Sequence, residues 1–319
     1  MVIASGEGEL TVGIQPGRIV ARALVSVLAI AFPLLAFASP ARAEGPNAIT
    51  TVPSATSLDS CRDTTLPRND DGSAPVVALP FTIDFFGNHF SNVYVNNNGN
   101  LTFTSALSTY TPFGLSSART PIIAPFFADV DTRGVGSGLV TYAGRSFGIG
   151  TFAGRPAFCA NWVNVGYYSA HTDKLNSFQA ILVDRSDIGT GDFDIVFNYD
   201  KVQWETGDAS GGSGGLGGSP VRMGFSNGST ASFELPGSGV SRAFLDSNTA
   251  TGLIHNSRNS LQLGRYIFNV RNGAAPTGGT IQGTVYRNSS ASPENVLAGA
   301  YVQVCGSGGS CNLCLLIHI

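Results

Sequence analysis

Asp129 and Asp131 follow directly on the apolar run Ile122–Phe127, so both carboxylates can project from one strand end. Hard oxygen ligands placed that way can hold Ca²⁺. The same pair can instead accept backbone N–H bonds in the turn leading to Arg133-Gly134. The turn reading carries more weight, because a Ca²⁺ site needs about 6–8 oxygens and the sequence does not name the other donors. Gly224-Phe225-Ser226-Asn227-Gly228 matches Gly-x-Ser-x-Gly, and Asp246 and His255 follow in the Ser, Asp, His order of an α/β-hydrolase. A nucleophile elbow needs a helix after the serine, however, and residues 229–233 read as a turn and then a strand. Asn227-Gly228 is better read as a hairpin turn, which leaves a serine hydrolase as a distant alternative.

The five cysteines divide by position. Cys61 and Cys159 lie far apart in the main part of the chain and form the candidate disulfide. Cys305, Cys311 and Cys314 crowd into the last fifteen residues. Cys311-x2-Cys314 resembles half of a zinc site, but there is no second pair and His318 cannot complete four ligands, so no metal is expected there. His89, His171, His255 and His318 are scattered and read as surface or turn residues. Trp162 and Trp204, with Tyr167 and Tyr168, could form a sugar-stacking platform, although aromatics in a β-domain more often form core. Asn100, Asn227 and Asn288 begin glycosylation sequons, which matter only in a eukaryotic source.

These residues need a scaffold, and the composition says which kind. Charged residues make up 12 % of the 319, with two lysines and six glutamates against fifteen aspartates, so exposed helix formers are scarce. Twenty Phe and nine Tyr supply core material and exclude disorder for most of the chain. A net charge of −3 with scattered arginines excludes a nucleic-acid footprint. Arg18 and Arg22 precede an apolar stretch from Ala23 to Ala38, followed by Ala41-Arg42-Ala43. Residues 1–43 therefore read as a signal peptide, with Glu44 starting a secreted chain that has no membrane span.

Beyond an amino-terminal arm at 44–75, short alternating runs separated by turns predict an all-β, antiparallel, sandwich-like domain with long Gly/Asn-rich loops. The clearest hairpin pairs Val93-Tyr94-Val95 with Leu101-Thr102-Phe103 across Asn96-Asn97-Asn98-Gly99-Asn100. Ile122–Phe127 and the run from Phe178 to Val183 read as central strands covered on both faces. Phe193, Ile195, Phe197 and Tyr199 point inward, with Asp192, Asp194, Asn198 and Asp200 mostly outward. The Gly/Ser run after Trp204 reads as a long surface loop inside one domain, since the strands beyond it are too few to close a sheet.

Several ordered segments carry a family resemblance. They are Tyr94-Val95-Asn96-Asn97-Asn98-Gly99, the run Pro121 to Thr132 containing Phe126-Phe127-Ala128-Asp129-Val130-Asp131, and Asn176 to Val183. Val202-Gln203-Trp204-Glu205-Thr206-Gly207-Asp208, Met223-Gly224-Phe225-Ser226-Asn227-Gly228 and Gly264-Arg265-Tyr266-Ile267-Phe268 follow in order. Over residues 76–272 the chain resembles the nidogen-like extracellular domain, as found in nidogen, alpha-tectorin, a membrane mucin and secreted bacterial proteins, and it is most similar in pattern to the bacterial type. The resemblance implies a secreted or cell-surface, non-enzymatic module for cell-matrix adhesion, with a matrix or cell-surface protein or glycan as partner and no cofactor. The alternative is a carbohydrate-binding, lectin-like module. After a linker at 273–280, residues 281–319 resemble the opening of a carboxypeptidase regulatory-like β-module.

Overall fold

Among the described residues the larger unit has fifteen strands, the longer of them where the sequence alternates between apolar and polar residues or runs nearly continuously apolar. The first seven are β1 (Thr64–Thr65), β2 (Val77–Phe85), β3 (Asn88–Asn96), β4 (Asn100–Thr102), β5 (Ile122–Phe127), β6 (Val130–Asp131) and β7 (Val140–Ala143). Next come β8 (Ala157–Tyr167), β9 (His171–Asp184), β10 (Phe193–Lys201), β11 (Gly212–Ser213) and β12 (Leu216–Gly217). The set closes with β13 (Arg222–Ser226), β14 (Ser232–Glu234) and β15 (Arg265–Val270). The computed structural model describes residues 62–143 and 155–275, together with the backbone at 301–302 and 317–318. The expected signal peptide, Cys61, the three carboxy-terminal cysteines and Asn288 lie outside the described residues, as does most of the arm at 44–75 and of the module at 281–319. The chain divides into two units. In the smaller, Tyr301–Val302 pairs antiparallel with Ile317–His318.

The larger unit is an all-β sandwich of two antiparallel sheets. One sheet runs β1-β7-β8-β9-β10-β15 with β6 paired to β8, and the other runs β14-β13-β5-β4-β3-β2. β5 and residues 178–183 of β9 are buried at every position, as their nearly continuous apolar runs predict. Their inward side chains, Ile123, Phe126, Phe178, Ala180 and Leu182, meet in one core rich in buried aromatics. Trp162 stacks on Phe178 at 5.1 Å and 11°, and Phe126 lies 5.0 Å from Phe178 and edge-on to Trp204 at 5.5 Å. Both indole N–H groups are satisfied, Trp204 donating to the Val165 carbonyl and Trp162 to the Asn97 carbonyl at 2.9 Å. The second of these bonds ties the core to the β3–β4 turn.

The outward face of β10 is not the exposed one that alternation predicts. Asp192, Asp194 and Asn198 are buried. The sheet register explains this, because it aligns Thr141, Asn161, Gln179, Asn198 and Arg265 across five strands. Asn161 donates to Thr141, Gln179 to Asn161, Asn198 to Gln179 and Arg265 to Asn198, at 2.7–3.3 Å. Asp194 is held by Arg185, Asn269 and Arg271. Polar side chains stay buried here because each has a neighbour of matching chemistry.

Candidate functional site

The β3–β4 turn is held against the end of β5. Phe126 N–H donates to the Gly99 carbonyl at 3.1 Å, and Ala128 N–H to that of Asn98 at 3.3 Å. Gly99 has φ +71, and a Cβ there would lie 1.9 Å from the Phe126 carbonyl oxygen, so only glycine fits. Asn96 and Asn100 are built into the turn: Asn96 Nδ2 donates to Asn100 Oδ1 and Thr102 Oγ1, while its Oδ1 accepts from Ser73 and Leu107. The two middle asparagines are different. Asn97 Nδ2 donates to the carbonyls of Asp70 and Val130, and Asn98 Nδ2 donates to Asp71 Oδ1 at 2.8 Å and to the Thr109 carbonyl at 3.2 Å. Both side chains are essentially fully buried, yet Asn97 Oδ1 and Asn98 Oδ1 have no partner.

The backbone just after β5 brings Asp129 to the same place. The segment Asn69-Asp70-Asp71-Gly72 is fixed by Asn69 Oδ1 accepting the Gly72 N–H at 2.7 Å and by Asn97 N–H donating to the Gly72 carbonyl. Oxygens of Asp70, Asp71 and Asp129 all lie within 4.8 Å of one another, close enough for a single cation to touch all three. Asp129 Oδ2 and Asp70 Oδ1 are buried without hydrogen-bond partners. Each such unsatisfied oxygen costs about 1–3 kcal/mol. Burial, reinforced by the charges of Asp70, Asp71, Asp131 and Asp208, pushes the Asp129 carboxyl up to about 7. Burial, with the charges of Asp131 and Asp71 added and Arg133 opposing, raises Asp70 to about 6.

Asp131 sits two residues on and has a different environment. Its Oδ1 accepts the backbone N–H and Nε of Arg133, both at 2.9 Å, and its Oδ2 accepts an Arg133 terminal N–H at 2.6 Å and the Ala170 N–H at 2.8 Å. Burial opposes ionisation, but these bonds outweigh it and hold the carboxyl below the usual range. Arg133 also reaches Asp70 Oδ2 at 2.9 Å. The two aspartates named from the sequence therefore part ways: Asp131 closes the turn into Arg133, and Asp129 faces Asp70 and Asp71. Gly207 packs against Asp129, and a Cβ there would lie 2.3 Å from Asp129 Oδ2.

The remaining sequence candidates fall elsewhere. Ser226 is buried in the β13–β14 turn, donating to the Ala231 carbonyl and accepting the Gly228 N–H, while His255 Nε2 lies 2.8 Å from the Asp246 carbonyl. Trp162, Trp204 and Tyr167 are core, so no exposed stacking platform forms from them. Asn100 is buried and inaccessible to a glycosyl transferase. Cys159 is buried on the outer face of its sheet beside Ala157, Ile181 and Val183.

The turn, the β5 end and the Glu205-Thr206-Gly207-Asp208 loop of this corner all lie inside one stretch that a known family matches. The family profile described as the nidogen-like domain matches residues 91–272. The chain belongs to the nidogen-like domain family. The nidogen-like domain here is 38 % identical to alpha-tectorin of Mus musculus over 196 residues, which cover 55 % of this chain and 9 % of the relative. It is 31 % identical to nidogen of Drosophila melanogaster over 212 residues, 59 % of this chain and 15 % of the relative. Nidogen-2 of Mus musculus matches at 33 % over 154 residues, 11 % of its length. The chain thus spans only a small part of each of these relatives. No solved structure matches it.

Sequence reasoning missed Asp70, Asp71 and the free amide oxygens of Asn97 and Asn98. Asp70-Asp71 precedes β2 by several residues, and nothing in its spacing ties it to Asp129. The asparagines offered a partial signal, since a two-residue hairpin turn needs only one Asn-Gly and Asn98-Gly99 is flanked by Asn96, Asn97 and Asn100.

Proposed function

We propose that this chain is a secreted or cell-surface, non-enzymatic protein that binds extracellular matrix or cell-surface partners through its nidogen-like domain. The observation that carries the reading is the family match across 91–272, together with 38 % identity to an alpha-tectorin. The sandwich suits the role: a rigid two-sheet core presents loops, and loops on rigid scaffolds are where binding concentrates. Among the described residues no helix is long and apolar enough to cross a membrane. Residues 1–43 as a signal peptide, a carboxy-terminal module of the carboxypeptidase regulatory-like kind and the bacterial form of the domain belong to the same reading.

We also infer that Cys159 pairs with Cys61. Cys159 is disulfide-bonded. The register sets Thr64 opposite Tyr142 and Ala143 opposite Cys159, so β1, a few residues after Cys61 in sequence, belongs to the same sheet as Cys159. Peptide mapping without reduction should recover the two cysteines in one linked fragment.

The function is tested by immobilising the full chain and measuring its binding to a panel of matrix proteins and to cell surfaces before and after enzymatic removal of glycans. Reversible binding that survives glycan removal is expected. Binding to glycans alone would replace the reading with the lectin-like one.

A further inference from the structure

We propose that Asp70, Asp71 and Asp129, with the buried amide oxygens of Asn97 and Asn98, form a Ca²⁺ site that clamps three distant segments of the domain together. The clamp would join the arm ahead of β2, the β3–β4 turn and the corner after β5. Two features of this corner support the site. The first is the carboxylate geometry, since oxygens of three side chains from two segments lie within 4.8 Å of one another. Two ligands of one Ca²⁺ ion, at 2.3–2.6 Å from it, lie at most about 4.6–5.2 Å apart, so all three carboxylates can share one ion. The second is the pair of orphaned neutral acceptors. Asn98 is 1 % exposed and its amide nitrogen rests on Asp71, while Asn97 is 0 % exposed and its amide nitrogen bridges the carbonyls of Asp70 and Val130. Each leaves its oxygen unpartnered.

A cation answers both features at once. It neutralises carboxylates that otherwise face one another and gives partners to oxygens that otherwise have none. Asp129 Oδ2 and Asp70 Oδ1 are also unpartnered, on two of the three carboxylates. All the protein donors are hard oxygens, which selects Ca²⁺ over a softer metal. Five side-chain donors fall short of a full Ca²⁺ shell, leaving room for water or for an oxygen from a bound partner. Asp70 is partly exposed, its side chain at 20 %, so the ion can reach the site from solvent.

The experiment is calorimetric titration of the full chain, stripped with EDTA, with CaCl₂ and separately with MgCl₂. Wild type, Asp129→Asn and Asp71→Asn are compared, and circular dichroism reports the fold of each. The expected result is one Ca²⁺ per chain with Kd on the order of 10⁻⁴–10⁻³ M, as in other extracellular modules. Mg²⁺ should bind at least about tenfold more weakly, and each folded variant should lose about tenfold or more in Ca²⁺ affinity. If Asp129→Asn fails to fold, Asp71→Asn decides, because Asp71 is the more exposed of the two. No Ca²⁺ heat from folded wild type, equal affinity for both ions, or unchanged affinity in a folded variant would overturn the site. None of these readouts involves a matrix partner, so the outcome is independent of whether adhesion is confirmed.

Discussion

Glu205 and Asp129 are both buried carboxylates, each 1 % exposed, and Gly207, two residues on from Glu205, packs against Asp129. Glu205 is surrounded by donors. Its Oε1 accepts the Gly217 N–H at 3.0 Å and the Ser241 hydroxyl at 2.9 Å, and its Oε2 accepts the Arg242 N–H at 2.5 Å. Asp129 is surrounded by other acids, and one of its oxygens has no donor at all. Burial alone therefore does not say what a carboxylate is for. Donors around it make it a structural pin, and acceptors around it leave a place for a cation.

The comparison predicts opposite consequences for removing the two charges. Glu205→Ala leaves two backbone N–H groups and a hydroxyl unpaired and frees the Gly-rich loop from the 237–242 turn. It should lower unfolding stability by about 3 kcal/mol or more, read from urea midpoints at constant slope. A loss under about 1 kcal/mol would show that water replaces the carboxylate easily and would remove one side of the contrast. Gly207→Ala probes the packing against Asp129. Its backbone φ of −98° is open to any residue, so the effect is purely steric, a Cβ pressed on Asp129. The expected cost is about 1–3 kcal/mol in the same assay.

Ser226→Ala should have the smallest effect. Its hydroxyl closes a local turn, so a loss of about 1 kcal/mol is expected, with partner binding unchanged. A chain whose folded Ser226→Ala variant lost a measurable hydrolase activity would contradict the non-enzymatic reading.

Much of this architecture was legible from residue order, because it follows from local periodicity. The nearly continuous apolar run Ile122–Phe127 announced a strand buried on both faces, and Asn98-Gly99 announced the hairpin that the register confirms. The buried outer face of β10 was not legible. Alternation reports which way Asp194 and Asn198 point but not whether Arg271, Asn269 or Gln179 will meet them from neighbouring strands. The acidic corner was half legible for the same reason. Asp129 stood out beside an apolar strand, whereas Asp70 and Asp71 reach it only through a turn stabilised by Asn69 and Asn97. Asp131, equal to Asp129 in sequence terms, was separated from it by Arg133.

The most direct test of the contrast compares urea unfolding of wild type and Asp129→Asn, first in EDTA and then in millimolar Ca²⁺. In EDTA the substitution removes a buried charge that faces like charges, so the variant should be more stable than wild type by about 1 kcal/mol. In Ca²⁺ the order should reverse, because wild type gains the free energy of ion binding and the variant gains little of it. A variant less stable than wild type in both conditions, by the same amount, would mean that Asp129 is a structural pin like Glu205 and that the acidic corner holds no cation.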